Sequence, residues 1–424
     1  MKVLLLTNII APEFSEIIGK KTVVTGGWLH TVVEFLSKQN DIELAVVMPN
    51  RNGKEIVSGS NSNITYYFYP ERTDKVYQKQ TEIYFKAIID EFNPDIINAF
   101  GTEYPRTFSL MNVADCNKVI ITMTGIISLY AEHYMGSMPI KYYFPSLRIL
   151  FRPFINIPTL WEGQKDFINR GKYEVLTMKK AQHIIGRTRF DHAFAYIKSP
   201  NAFYYHCNES LRTAFYSSQW NFNECQKYTI ILPQAGYPIK GFEVFLEALA
   251  ILKENYPNIK VIVPGRSSFS VSNLIKRRLL INSSDYDSYI EKKIIEYNLW
   301  DNIEFVGLLN VCEMVDRMIK SNIFVLPSAI ENSPNTLGEA MILGMPCVAS
   351  CVGGIQDMIL DSIEGYLYPY DEPHIMAYQI HKYFNDPKMA EEMGKRARIR
   401  ALKTHNVEIN MKNLLVIYKK IIEK

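Results

Sequence analysis

An α/β chain folded as two doubly wound domains is predicted by three observations: strand-like and helix-like patterns alternate along it, its 424 residues exceed one core, and 47% of them are hydrophobic. A single hydrophobic core stops growing at about 250 to 300 residues, so two domains are the default. Short apolar runs alternating with stretches of helical period favour sheets covered by helices on both faces.

In the first half, apolar runs predict strands at 2–7, 42–48, 95–99, 118–124 and 182–186, with helices near 27–39, 76–92 and 188–197. In the second half, strands are expected at 228–232, 259–264, 303–306, 322–326 and 346–350, with helices near 241–255, 287–297, 311–320 and 336–343. A last helix is expected at 407–423. The polar, irregular stretch CNESLRTAFYSSQWNFNECQK marks the join near 205–227, which divides the chain into 1–210 and 211–406.

Composition removes several function classes. A formal charge of +3 without any nucleic-acid-binding signature gives no reason to expect DNA or RNA as a partner. Six cysteines, at 116, 207, 225, 312, 347 and 351, lack C-x-x-C spacing and so argue against zinc and disulfide frameworks. The start KVLLLTN turns polar too soon for a signal segment and reads as a first strand. No apolar stretch reaches the roughly 18 residues that span a bilayer. A cytoplasmic protein, soluble or held at the inner face of the membrane, is the expectation.

The most informative stretch is ENSPNTLGE, residues 331–339, followed directly by AMILGMPCVASCVGGIQDMI. The buried-strand pattern NIFVLPSA (322–329) delivers Glu331 to a strand's carboxyl end. Ser333 and Pro334 suit a helix cap and first helical position. Leu337, Ala340, Met341 and Gly344 then share one face that packs on a sheet, and Glu339 points off it. Free backbone N–H groups and a positive dipole end at such a helix start favour phosphate. Two carboxylates flanking that point make sense if they face the hydroxyl-rich parts of a ligand, and a nucleotide sugar has ribose and hexose both. The bland alternative makes Glu331 a loop cap and Glu339 a solvated helix residue.

This segment resembles the signature of the retaining glycosyltransferases of family 4, which have the GT-B fold: E-x7-E, then EAM, a G-x-P turn, a VAS-like strand and a VGG-x-x-(D/E)-(M/L)-I loop. The resemblance implies two Rossmann-like doubly wound domains facing a central cleft, an acceptor-side first domain, a nucleotide-sugar-binding second one, and a last helix, 407–424, crossing back to the first. It further implies Glu331 near the donor sugar hydroxyls, Glu339 on the ribose, and the amides of Asn335, Thr336 and Leu337 at sugar and phosphate. Gly26 and Gly27 match the family's glycine pair at the first domain's helix start, and otherwise read as a simple turn. Lys240 in YPIKG (237–241) matches its lysine-glycine turn, where the lysine meets the donor diphosphate.

The block HIIGRTRFDHAFAYIKSPNAFYYHCNESLR (183–212) is similar to a branch found among bacterial capsule and exopolysaccharide enzymes, which suggests cell-surface polysaccharide synthesis. Two departures from the wider family stand out. Many members carry an arginine just before the lysine, whereas this chain has Gln234, Ala235 and Gly236 there, so Arg187 and Arg266 become candidate replacements. Arg187 could equally be a structural ion-pair partner. Many members also place a histidine after the strand that here ends in Thr124 and Gly125, and His133 is either its substitute or a surface residue.

The expected chemistry is transfer of a sugar from a nucleotide-diphosphate sugar to a saccharide or lipid-linked saccharide. Charge growing on the departing diphosphate would be stabilised by Lys240 and helix-start amides. Retention is implied by the resemblance alone. No cofactor or metal is expected, and the D-x-D at Asp285–Asp287 reads as a helix cap. In the long insertion 126–181, YYFPSLRILFRPFINIPTLW interleaves aromatics with Arg148 and Arg152, and could rest in a membrane interface or form an internal lid. Rival readings are a nucleotide-sugar epimerase on the same fold and a non-catalytic nucleotide-sugar binding protein.

Overall fold

A computed structural model describes residues 1–10, 14, 27–61, 63–142 and 158–423. Gly26, Arg148 and Arg152 lie outside the described residues. The chain divides into two compact units, Met1–Ala131 with Asp166–Leu211 and His405–Lys424, and Glu132–Lys165 with Arg212–Thr404.

The first unit holds strands β1 (Lys2–Leu6), β2 (Glu43–Asn50), β3 (Val57–Asn61), β4 (Ile64–Pro70), β5 (Ile96–Phe100), β6 (Val119–Thr122), β7 (His183–Gly186) and β8 (Phe203–His206). They form one sheet in the order β3-β4-β2-β1-β5-β6-β7-β8, parallel except for the β3–β4 hairpin. In β1, Val3 and Leu5 join one apolar cluster while Leu4 and Leu6 join another. Side chains alternate across a strand, so both faces of this sheet are covered, as a parallel sheet requires. The final helix, Val407–Ile422, supplies Met411, Leu414, Ile417, Tyr418 and Ile421 to the first of those clusters. Asn98 on β5 donates to the Tyr418 hydroxyl at 2.7 Å.

The second unit holds β9 (Gln226–Ile231), β10 (Lys260–Pro264), β11 (Ile303–Gly307), β12 (Ser321–Leu326), β13 (Cys347–Ser350) and β14 (Tyr366–Tyr368), all parallel, in the order β11-β10-β9-β12-β13-β14. Each sheet therefore has one point where the chain leaves a central strand for opposite sides. It falls between β1 and β5 in the first and between β9 and β12 in the second. The loops beyond the carboxyl ends at such a switch point diverge and leave a crevice, which is where doubly wound folds bind ligands.

Two expectations are revised. Sequence pattern assigns no strand to β3, β4, β8 or β14: β3 and β8 are edge strands of polar or partly exposed residues, β4 interrupts its buried positions with half-exposed Thr65 and Tyr66, and β14 is only three residues long. The insertion 126–181 does not belong wholly to the first unit, because Glu132–Lys165 groups with the second. The reason is local: Ser137 N–H donates to Glu243 at 3.1 Å, and Gly136, at φ +54, fits beside Glu243 and the Pro238 carbonyl, where a Cβ would come within 2.6 Å of each. The rest of that insertion includes a 21-residue helix, Leu160–Lys180.

Candidate functional site

At the second unit's switch point the loop after β9 ends in a short turn, Pro238–Lys240, closed by Gly241 at φ +66 and followed by the helix Phe242–Asn255. Only glycine fits there. A Cβ on Gly241 would collide with the carbonyl of Pro327, just past β12, and left-handed φ disfavours other residues as well. The Ala329 N–H donates to the Ile239 carbonyl at 2.7 Å, so the loops after β9 and β12 are pinned together. That pinning brings Lys240 Nζ to 2.6 Å from Glu331 Oε1.

Glu331 is 7% exposed and also accepts from the Ser328 hydroxyl at 2.8 Å. Its carbonyl receives the Gly354 N–H at 3.0 Å, and Gly353, at φ +50, lies so close to that carbonyl that a Cβ is excluded. The two glycines of the VGG loop thus close over the backbone of Glu331. Burial works against the charge of Lys240, but Glu331 and Tyr237 beside it outweigh burial and raise its pKa above the ordinary lysine value. Lys240 is a fixed cation on this edge.

From Glu331 the chain enters the helix Asn335–Leu343. Pro334, not Ser333, is its cap, and Asn335 its first residue, one position later than the sequence pattern suggests. Proline has no side-chain oxygen to offer, and no side chain caps this helix. The first N–H groups of Asn335 and Thr336 therefore face the switch point without a capping side chain, while Leu337 N–H turns back to the Pro334 carbonyl at 3.0 Å.

Glu339 follows one turn later and is not solvated: it is 2% exposed and gripped by Arg212, Nε to Oε1 at 2.6 Å and Nη2 to Oε2 at 2.7 Å. Phe215 backs the guanidinium at 4.8 Å. Burial raises the Glu339 pKa and the arginine opposes it. Sequence reasoning missed Arg212, although it closes the CNESLR block already singled out.

The two candidate arginines differ. Arg266 is exposed just past β10, and its carbonyl lies beside Gly236 of the Lys240 loop, where a Cβ would come within 3.1 Å. Arg187 belongs to the first unit, 8% exposed, ion-paired with Glu209 and donating to the Met123 carbonyl at 2.8 Å. Its charge is spent inside its own unit. Gly27 opens the helix Gly27–Ser37, and His133 is exposed. In the D-x-D, Ser284 is the helix cap, while Asp285 and Asp287 occupy the first turn and Asp287 accepts from Ser268. Among the described residues no cluster of metal-ligating side chains occurs.

The first unit's switch point carries a carboxylate that sequence pattern did not single out. Glu103, beyond β5, accepts from the Gly125 N–H at 2.6 Å and from the Thr124 hydroxyl through Oε1, while Oε2 lies 3.5 Å from Asn8 beyond β1. Gly101, at φ +85, leaves the space this carboxylate fills. Glu103 thus lies next to Thr124 and Gly125, which this chain has in place of the histidine that the resemblance led one to expect, and Oε2 keeps acceptor capacity.

Residues 213–400 match the family model described as Glycosyl transferases group 1. The chain is 26% identical over 166 residues to a D-inositol 3-phosphate glycosyltransferase of Streptomyces griseus, an alignment covering 39% of this chain. It spans 33 to 41% of the length of the first curated relatives it matches. Among solved structures it is similar to sucrose-phosphate synthase from Thermosynechococcus elongatus, with a TM-score of 0.68, 17% identity and coverage of 100% of this chain and 99% of that one. It is also similar to Anabaena HepE in complex with UDP, with a TM-score of 0.64, 13% identity and coverage of 99% and 100%. The chain therefore has the GT-B fold, and its residues 213–400 carry a Glycosyl transferases group 1 domain.

Proposed function

We propose that this protein is a retaining glycosyltransferase that moves a hexose from a nucleotide-diphosphate sugar to a saccharide or lipid-linked saccharide acceptor in cell-surface polysaccharide synthesis. The observation that carries the reading is the Lys240–Glu331 pair at the switch point, beside a helix start that no side chain caps, within the matched domain. A lysine held by a carboxylate next to open amides suits a ligand that is anionic at one end and hydroxylated at the other.

In this scheme the diphosphate lies against the Asn335 and Thr336 amides and Lys240. As the anomeric C–O bond breaks, charge grows on the departing phosphate oxygen, and a fixed ammonium stabilises that charge more than it stabilises the bound donor. Glu331, already oriented by Ser328 and the VGG loop, accepts from hexose hydroxyls. Glu339 holds the ribose: after the arginine fork each carboxylate oxygen keeps a second lone pair, and Arg212 fixes which way it points. Arg266, on the same sheet edge, supplies a second positive charge. The scheme uses no metal. On the first unit, Glu103 Oε2 receives a hydroxyl of the acceptor.

Thermal-shift measurements with uridine, guanosine and adenosine diphosphate sugars identify the donor, and Glu339→Ala should then weaken its binding about ten- to a hundredfold, the worth of one charge-assisted contact. If no nucleotide sugar raises the melting temperature, the reading is wrong. Turnover of the donor without transfer to any acceptor would instead favour an epimerase.

A further inference from the structure

The helix Leu274–Ser283 reverses the usual order of a surface helix. Its inner side carries Ile281, 3% exposed, while Leu274, Ile275 and Leu279 are 66%, 82% and 43% exposed. Ile275 and Leu279 are one turn apart and form the centre of the outward face. Lys276 flanks that centre on one side and Arg278 on the other, both exposed. Residues 274–283 contain no acidic residue. Glu291 of the next helix pairs with Arg278 at 2.7 Å, yet 62% of that arginine side chain stays exposed. The turn Ser268–Ser270, which contacts this helix, carries Phe269, against which Trp300, 42% exposed, packs.

Single exposed apolar residues need no explanation, but an apolar centre bracketed by two cations does. Water disfavours it. A bilayer surface with anionic headgroups fits it: the aliphatic tips enter the acyl boundary while the long basic side chains reach sideways to phosphates. A protein groove would need acids placed on both sides of an apolar slot, whereas an anionic membrane offers that pattern anywhere on its surface. We propose that the outward face of helix 274–283, centred on Ile275 and Leu279 and flanked by Lys276 and Arg278, docks the second unit onto an anionic membrane. The helix follows β10 and Arg266 in the chain.

Flotation of the full chain with vesicles tests it, using phosphatidylcholine alone and phosphatidylcholine mixed with phosphatidylglycerol. Wild type should float with the mixed vesicles and not with phosphatidylcholine alone. Each basic residue at an anionic surface is worth about fivefold in partitioning, so the pair Lys276→Gln and Arg278→Gln should lower binding about 25-fold. The pair Ile275→Asp and Leu279→Asp should lower it by more than about tenfold. Both variants should melt as wild type does, because the substituted side chains are exposed. The proposal is overturned if wild type floats with neither vesicle or equally with both, or if the variants float like wild type. It is also overturned if wild type instead forms a dimer that Ile275→Asp abolishes.

Discussion

Glu331 and Glu339 look equivalent as letters in E-x7-E, but at the residue scale they are held in different ways. Glu331 neutralises a lysine and is set by a hydroxyl and two glycines, whereas Glu339 is clasped by an arginine that approaches from outside the motif. The residue types and their spacing were legible in the chain because a strand, a turn and a helix leave local marks. The partner Arg212 was not legible, since 127 residues separate it from Glu339 and pairing over that distance leaves no local pattern. Glu103 was missed for a similar reason. Its meaning comes from Asn8 and Thr124, in the loops beyond other strands, not from its neighbours in sequence. Under the proposed scheme the charge that Lys240 meets grows during bond cleavage, so Lys240→Ala should lower kcat about ten- to a hundredfold while the donor KM changes less. Steady-state kinetics on the identified donor checks this, and a variant with full kcat would move the leaving group elsewhere.

At the scale of the element, the turn 238–241 links the proposed diphosphate contact of Lys240 to packing. Gly241 holds a left-handed φ and abuts the Pro327 carbonyl, so Gly241→Ala should destabilise the unit by about 1–3 kcal/mol and separate Lys240 from Glu331. Denaturant unfolding measures the first effect and donor turnover the second. The helix that follows carries Glu243 in its first turn, buried and accepting from Ser137 N–H and the hydroxyls of Tyr286 and Tyr370. Burial, opposed by those hydrogen bonds, pushes its pKa up to about 7 from the ordinary 4.5. The folded state therefore keeps a proton that the unfolded chain has released. Its contribution to stability is fully present below 4.5 and is lost as pH rises to about 7. Glu243→Gln should remove that fall, amounting to a few kcal/mol between the two limits, and melting curves across the range would show an unchanged slope if the carboxyl were not the cause. Elements with both faces buried were readable from their apolar runs, β1, β2, β5 and β12 among them. β3, β8 and β14 were not, because an edge strand is held by backbone pairing that any side chain tolerates.

For the whole molecule, the last helix closes the first unit although it follows the second in sequence. Five of its side chains lie in that core, each contributing about 1.5–3 kcal/mol by burial, against a net stability of about 5–15 kcal/mol for a typical domain. Deleting residues 405–424 should therefore unfold the first unit while leaving the second cooperative, which limited proteolysis and calorimetry would resolve. A protected first unit in the truncated chain would show that the helix is dispensable. Sequence by itself determined the alternation of strands and helices, the two-domain class and the chemical character of the motif at 331–359, because periodicity, capping and turn chemistry act over a few residues. Only the tertiary structure decided that Lys240 meets Glu331, that Arg212 rather than solvent faces Glu339, that Arg187 is committed within its own unit, and that residues 132–142 pack with the second unit. Those outcomes depend on which strands become neighbours at the switch points, and strand order is settled by long-range packing that no local stretch of sequence encodes.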